Sequence, residues 1–323
     1  MTILITGATG KVGRHLVNSL IRGEEKVRVL IRDKMTEFEN VEVFFGDLSD
    51  KESLKKALDG VDTVFHLAAI VDHNASHDSM HDVNVVGTSN LLDLFNGKKF
   101  IYLSSMSVLG KKLDSPADEK TPYNPSDYYA KTKMEAEKLV RTRGGMIVRA
   151  PDVMMPRYIG IYDMVFSKLL EGEMTVVGDG KNFVDFIHIR DLTDALILTM
   201  AKGRSGEVYN VCGKGFMTQN ECLEAAAKYL KADMPKGHTS SLSAKVASFG
   251  SNLRSKIRPS KNLSAEYMDS IVRNRTYDIS KAKSELGFEP KIDMDTSIRE
   301  MVDDFLKRVE EQQNDVAEKQ GEQ

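Results

Sequence analysis

Short β-branched and apolar runs alternate with amphipathic stretches through the first half of the chain. Thr2 to Thr6, Lys26 to Arg32, Val41 to Phe45, Val61 to His66, Phe100 to Ser104 and Met146 to Arg149 read as strands. Helical spacing fills the gaps, as from Lys11 to Arg22 with Gly23 as its stop. Strands separated by helices in this rhythm imply right-handed crossovers and a parallel sheet covered on both faces. The pattern predicts an α/β fold whose first 150 residues form one doubly wound domain.

After Arg149 the alternation stops and prolines arrive at Pro151 and Pro156. Asp185 to Ile189 and Glu207 to Val211 read as strands again and are expected to return to the main sheet. The remainder of 151–308 is expected to form a smaller, interleaved lobe. Within it, Thr218 and Glu221 have capping-box spacing and open a helix to about Leu230. Gly237 to Lys261, rich in Ser, Lys and Arg, reads as a mobile loop or a loosely packed helix. The almost wholly polar run 309–323 reads as a disordered tail.

With 41% hydrophobic and 29% charged residues, 323 residues can bury a large core and cover it, as expected of an ordinary globular protein. A net charge of −3 gives no general attraction for nucleic acid or anionic lipid. No apolar run approaches the roughly 20 residues of a membrane span, and the start lacks a basic, then apolar, leader. A cytoplasmic location is expected. Cys212 and Cys222 lack zinc spacing and read as reduced structural thiols.

Gly7-Ala8-Thr9-Gly10-Lys11-Val12-Gly13 follows the first strand and opens the first helix. Three glycines there allow a tight turn, close backbone approach to a phosphate, and close packing of helix on strand. The helix N-terminus adds amide donors and a positive dipole end, so the turn is read as a pyrophosphate cradle. No Gly-Lys-Ser/Thr follows, which excludes a P-loop. At the end of the second strand Arg32 suits the 2′-phosphate of NADP, whereas Asp33, one residue later, would suit the ribose hydroxyl of NAD. The arginine favours NADP and leaves NAD open.

The Gly-x-x-Gly-x-x-Gly spacing resembles the extended branch of the short-chain dehydrogenase/reductase superfamily, the NAD-dependent epimerase/dehydratase family. Further landmarks extend the resemblance from Thr2 to about Lys307. Gly46-Asp47-Leu48 resembles its adenine-contacting turn, Val64 to Ala69 the strand end beside the nicotinamide ribose, and Asn84 to Thr88 the helix that follows. Gly178 to Gly180, Asp185 to Asp191 and Asp278 to Gly287 resemble landmarks of its substrate half. The resemblance implies a Rossmann-type sheet with a C-terminal substrate lobe, and a cofactor held by Gly7, Thr9, Gly10, Lys11, Val12, Gly13, Arg32, Asp47, Leu48, Leu67, Ala68 and Ala69. It also implies a homodimer paired through the helices holding the Asn84 and Tyr129 segments.

Tyr129 and Lys133 stand at i and i+4 on one helix face. A neighbouring ammonium favours the phenolate, lowering a tyrosine from about 10 toward neutrality. The pair falls where the resembled family carries Tyr-x-x-x-Lys, which implies that both residues also contact the cofactor ribose. Tyr128 is excluded because Thr132 lies four residues on. The distance to Gly110 aligns Ser105 with the family's catalytic Ser/Thr, ahead of Ser104 and Ser107. The expected chemistry is proton exchange by Tyr129, polarisation by Ser105 and tuning by Lys133 while nicotinamide exchanges hydride with a carbonyl or secondary alcohol.

Sugar-nucleotide members of the family usually carry Asn where Asp152 stands, Gly at Met155 and an arginine at Val184. These departures, together with Arg273 to Asp278, place the chain nearer the dihydroflavonol reductase and 3β-hydroxysteroid dehydrogenase side. Arg273 or Arg275 could still meet an anion. Two alternatives remain: epimerisation or dehydration of a nucleotide sugar with no net cofactor change, and an NADP-binding redox sensor without turnover. His73, His77 and His81 recur every four residues, yet no zinc signature is complete, so no metal is assigned. His73, Ser105 and Asp152 are the candidate contacts for a small-molecule substrate.

Overall fold

A computed structural model describes residues 1–32, 36–72, 75–110, 116–157, 160–239 and 274–321. The chain divides into two compact units. The first comprises Met1–Pro151, Ile189–Cys212 and Tyr277–Glu289. The second comprises Asp152–His188, Gly213–Thr276 and Pro290–Gln323.

Unit 1 is built on β1 (Thr2–Thr6), β2 (Lys26–Ile31), β3 (Glu42–Phe45), β4 (Thr63–His66), β5 (Lys99–Ser105), β6 (Met146–Ala150) and β11 (Val208–Asn210). They form one parallel sheet in the order β11-β6-β5-β4-β1-β2-β3. The order reverses direction beside β1, and in such sheets ligands bind at the carboxyl ends of the strands at that switch point. Helices α1 (Lys11–Leu20), α2 (Lys51–Leu58), α3 (His77–His81), α4 (Gly87–Leu94), α5 (Tyr128–Thr142) and α7 (Ile189–Lys202) join and cover the strands. Gly13, Leu16, Val17 and Leu20 make the buried stripe of α1, the spacing of an amphipathic helix. A π-type segment, Asp82–Val86, lies between α3 and α4.

Unit 2 holds β7 (Asp152–Met154), α6 (Ile161–Leu170), β8 (Thr175–Val177), β9 (Phe183–Val184), β10 (Phe186–His188), β12 (Met217–Thr218), α8 (Gln219–Leu230), β13 (Gly237–Thr239) and α9 (Met294–Gly321). Its core gathers Phe166, Val184, Leu223, Ile298, Val302 and Phe305. The Thr218/Glu221 capping box forms at the head of α8.

Four expectations need correction. Residues 185–189 do not rejoin the main sheet: β10 pairs with β7 in a two-stranded ladder of unit 2, and only β11 returns. The landmark Asp278–Gly287, assigned to the substrate half, lies in unit 1, where Phe288 and Leu286 are buried. The run 309–323 is helical as far as Gly321 rather than disordered. Packing of Met294, Ile298, Met301, Val302 and Phe305 nucleates α9, and the following fifteen residues, 306–320, free of glycine and proline, propagate it. Of Gly237 to Lys261, Gly237–Thr239 is a strand paired with β8; 240–261 lies outside the described residues. Among the described residues, no helix is long and apolar enough to cross a membrane.

Candidate active site

The glycine turn leaves β1 with Gly7 at φ 73°, a left-handed conformation that glycine adopts without strain. A Cβ on Gly7 would stand 2.6 Å from the Ala68 nitrogen, and one on Gly13 would stand 2.2 Å from the Gly7 carbonyl oxygen. Backbone thus meets backbone at both positions, while the Gly10 amide closes the turn onto the Gly7 oxygen at 3.0 Å. Thr9, Gly10 and Lys11 are exposed, and among the described residues no side chain caps the N-terminus of α1. Strand end, glycine turn and uncapped helix start make a cradle that fits a dinucleotide pyrophosphate. Leu67 and Ala68, the residues against which Gly7 packs, follow directly from β4.

Farther along the edge, Asp47 accepts from the Ser49 amide and hydroxyl at 2.9 and 2.8 Å, shaping the turn after β3. Leu48 is buried and its carbonyl accepts from Asn90 at 3.0 Å. Arg32 is exposed at the end of β2, with Asp47 3.9 Å away. Asp33 lies outside the described residues.

Ser105 ends β5 and accepts from the Ser107 amide at 3.2 Å, capping the short turn Met106–Leu109. Among the described residues, the buried hydroxyls of Ser104 and Ser107 have no hydrogen-bond partner. Asp127 caps α5 by accepting from the Ala130 amide at 2.8 Å, which sets Tyr129 in the first turn and Lys133 one turn on. Lys133 is 2% exposed. Its Nζ donates to the Leu103 carbonyl at 2.6 Å and lies 4.2 Å from the centroid of the Tyr102 ring. Burial pulls the Lys133 ammonium down to about 7, against the opposing pull of Glu137. A lysine poised there can change charge near neutrality, and at i+4 from Tyr129 it can bias the phenol electrostatically.

Sequence reasoning missed the next step of this ladder. Glu137, four residues beyond Lys133, is buried and accepts from Arg149 Nε at 3.0 Å and Nη2 at 2.7 Å. Tyr123 donates to the same carboxylate at 2.8 Å. The Tyr129, Lys133, Glu137 spacing was the available signal. His66, fully buried between Thr6 and Thr88, was also missed, since its apolar strand reads only as core.

In unit 2, Asp152 begins β7 and accepts from Arg275 Nη1 at 3.0 Å. Val184 is 5% exposed in the unit 2 core. His73 and Arg273 lie outside the described residues. His77 stacks on Tyr128, with centroids 3.8 Å apart and planes at 9°, and His81 lies 3.6 Å from Glu135.

These features define a nicotinamide-dependent enzyme class, and sequence comparison agrees. Residues 3–212 match the model of the NAD dependent epimerase/dehydratase family, and residues 160–301 match that of GDP-mannose 4,6 dehydratase. The chain belongs to the NAD dependent epimerase/dehydratase family, within the extended short-chain dehydrogenase/reductase superfamily. It is 30% identical over 306 residues to uncharacterized protein y4nG of Sinorhizobium fredii, covering 90% of this chain and 75% of that one. Sterol demethylase protein B of Methylococcus capsulatus is 32% identical over 235 residues, 66% of this chain and 70% of the relative. A solved structure of UDP-glucuronic acid 4-epimerase from Bacillus cereus in complex with NAD shares the fold at TM-score 0.76. It is 21% identical, covering 95% of this chain and 99% of the epimerase.

Proposed function

We propose that this protein is an NAD(P)-dependent oxidoreductase that interconverts a carbonyl and a secondary alcohol on a small molecule, with Ser105, Tyr129 and Lys133 as its catalytic set. The observation that carries the reading is Lys133, buried and held by Leu103 one helical turn from Tyr129. In the reductive direction Tyr129 gives its proton to the carbonyl oxygen, Ser105 donates a hydrogen bond to that oxygen, and Lys133 favours the phenolate left behind. A bound nicotinamide would supply the hydride to the carbonyl carbon.

The cofactor would be held by Gly7, Thr9, Gly10, Lys11, Val12 and Gly13 at the pyrophosphate, by Asp47 and Leu48 at the adenine, and by Leu67, Ala68, Ala69, Tyr129 and Lys133 at the nicotinamide ribose. Arg32 supports NADP as the preferred form: it is exposed, and its contact with Asp47 is long enough to yield to a phosphate. We place the enzyme in the cytoplasm as a homodimer, where Cys212 and Cys222, which form no disulfide, stay reduced.

For the substrate, the ion pair of Asp152 with Arg275 supports an uncharged molecule, because the arginine already has a carboxylate to neutralise it. Within unit 1, Ser105 is the proposed substrate contact. A second reading, epimerisation or dehydration of a nucleotide sugar, draws support from the dehydratase match over residues 160–301 and from the fold shared with the Bacillus cereus epimerase. Purified protein incubated with NADPH or NADP and a panel of ketones, alcohols, UDP-sugars and dTDP-sugars separates them. Net cofactor turnover on a ketone or alcohol is expected; sugar conversion without net turnover would establish the second reading. Tight NADPH binding with no conversion of any compound would leave a redox sensor.

A further inference from the structure

The sheet register sets Thr6, His66 and Tyr102 side by side on three adjacent strands, each at most 1% exposed. The hydrogen bonds around His66 have one self-consistent direction. Thr88 Oγ1 donates to the Asn84 carbonyl at 2.7 Å, and a hydroxyl has a single proton, so at its 2.8 Å contact with His66 Nε2 it accepts. Nδ1 is then the lone-pair nitrogen and accepts from Thr6 Oγ1 at 2.7 Å. Burial, with a further contribution from the Lys133 charge, pulls the imidazole down to about 3, so this neutral form persists at neutral pH.

Both ends of the chain lead to functional elements. On one side Thr6 Oγ1 accepts from the Ala68 amide at 3.4 Å, and Ala68 is the residue against which Gly7 packs. On the other, Asn84 clamps Ile70 through its amide nitrogen at 2.7 Å and its carbonyl at 3.0 Å, and donates to Thr132 Oγ1 at 3.0 Å. Thr132 donates onward to the Tyr129 carbonyl at 2.8 Å. A second arm runs through the rings: His66 and Tyr102 centroids are 5.5 Å apart, and Tyr102 lies under Lys133 Nζ.

We infer that His66 is a positioning residue, which fixes the Tyr129–Lys133 pair relative to the glycine turn. The inference rests on the catalytic pairing proposed above. His66 touches neither reacting group; it accepts from Thr6 on the strand that enters the turn and donates to Thr88 of α4, which in turn bonds the Asn84 carbonyl. Removing either of its hydrogen bonds strands a buried polar atom and lets two rigid elements shift against each other.

The test follows the ionisation of Tyr129 by ultraviolet difference titration, each protein measured with and without Tyr129→Phe to isolate one phenol. Thr88→Val removes the Nε2 acceptor with little change of shape, His66→Leu removes both bonds, and His66→Gln retains an acceptor and a donor. Thr88→Val and His66→Leu are expected to raise the Tyr129 midpoint by at least ~0.5 unit, a displacement of the kind produced by moving a charge partner away. His66→Gln should restore part of that displacement. NADPH affinity, read by its fluorescence, serves as a second measure of the turn.

Lys133→Met separates the two levels. If it leaves the Tyr129 midpoint in place, the catalytic pairing fails and the inference fails with it. If it moves the midpoint while folded Thr88→Val does not, the inference alone is overturned. A purely structural role would lower the melting temperature without moving the midpoint. Should His66→Leu fail to fold, Thr88→Val and His66→Gln decide.

Discussion

Lys133 donates to the Leu103 carbonyl at 2.6 Å from a side chain that is 2% exposed. One ammonium therefore ties α5 to the end of β5, the strand that carries Ser105. That tie holds the chemistry on the rigid sheet rather than on a loop.

Tyr129→Phe should reduce turnover by about 10²–10⁴-fold, the range lost when a positioned proton donor is removed. The pyrophosphate turn is left whole and one contact at the ribose is lost, so NADPH affinity should fall by less than about tenfold. Steady-state rates and fluorescence titration check both halves, and an active Tyr129→Phe protein would end the assignment.

Arg32→Ala should weaken NADPH by about tenfold or more, roughly 1.4 kcal/mol, and leave NADH nearly unchanged. The arginine is exposed and its 3.9 Å contact with Asp47 contributes little to folding, so the loss should appear in cofactor choice and not in the melting temperature. Equal effects on both dinucleotides would remove Arg32 from the 2′-phosphate site.

Gly13→Ala places a methyl 2.2 Å from the Gly7 carbonyl oxygen, a backbone atom that cannot rotate aside. The turn must open, and cofactor affinity should fall by about tenfold or more for NADPH and NADH alike. Calorimetric titration of the folded variant gives the answer.

His66 should make stability sensitive to acid. Its folded midpoint, about 3, lies below its ordinary value of 6.5, so between those limits the unfolded chain binds the proton first. The stabilisation is complete above pH 6.5 and is lost as the pH falls toward 3. In urea unfolding, wild type and His66→Gln should keep a constant gap above pH 6.5, and wild type should lose ground below it. A gap unchanged from pH 6.5 down to 4 would show that the imidazole is not held neutral.

The strands of unit 1 were legible because a parallel sheet buries both faces and leaves continuous apolar runs such as Thr63–His66. The same run at Phe186–His188 was legible as buried, but periodicity does not say which strand is the partner, and the chosen sheet was wrong. Composition misjudged 309–321, because helix propagation depends on the packed turns before it. In the site, Gly7, Gly10 and Gly13 were legible from steric need. Ser105, Tyr129 and Lys133 came from spacing and resemblance. The buried partners of Lys133 and His66 were not legible, since Leu103 lies 30 positions from Lys133 and Thr6 lies 60 from His66.

The late arrival of β11 also bears on biosynthesis. β6 is complete when Ala150 leaves the ribosome, but its outer edge has no neighbour until Val208–Asn210 emerge. For the intervening residues the nascent sheet carries an open edge, the kind of surface that pairs with another chain. Truncations that end in this interval should yield fragments that associate through the exposed β6 edge.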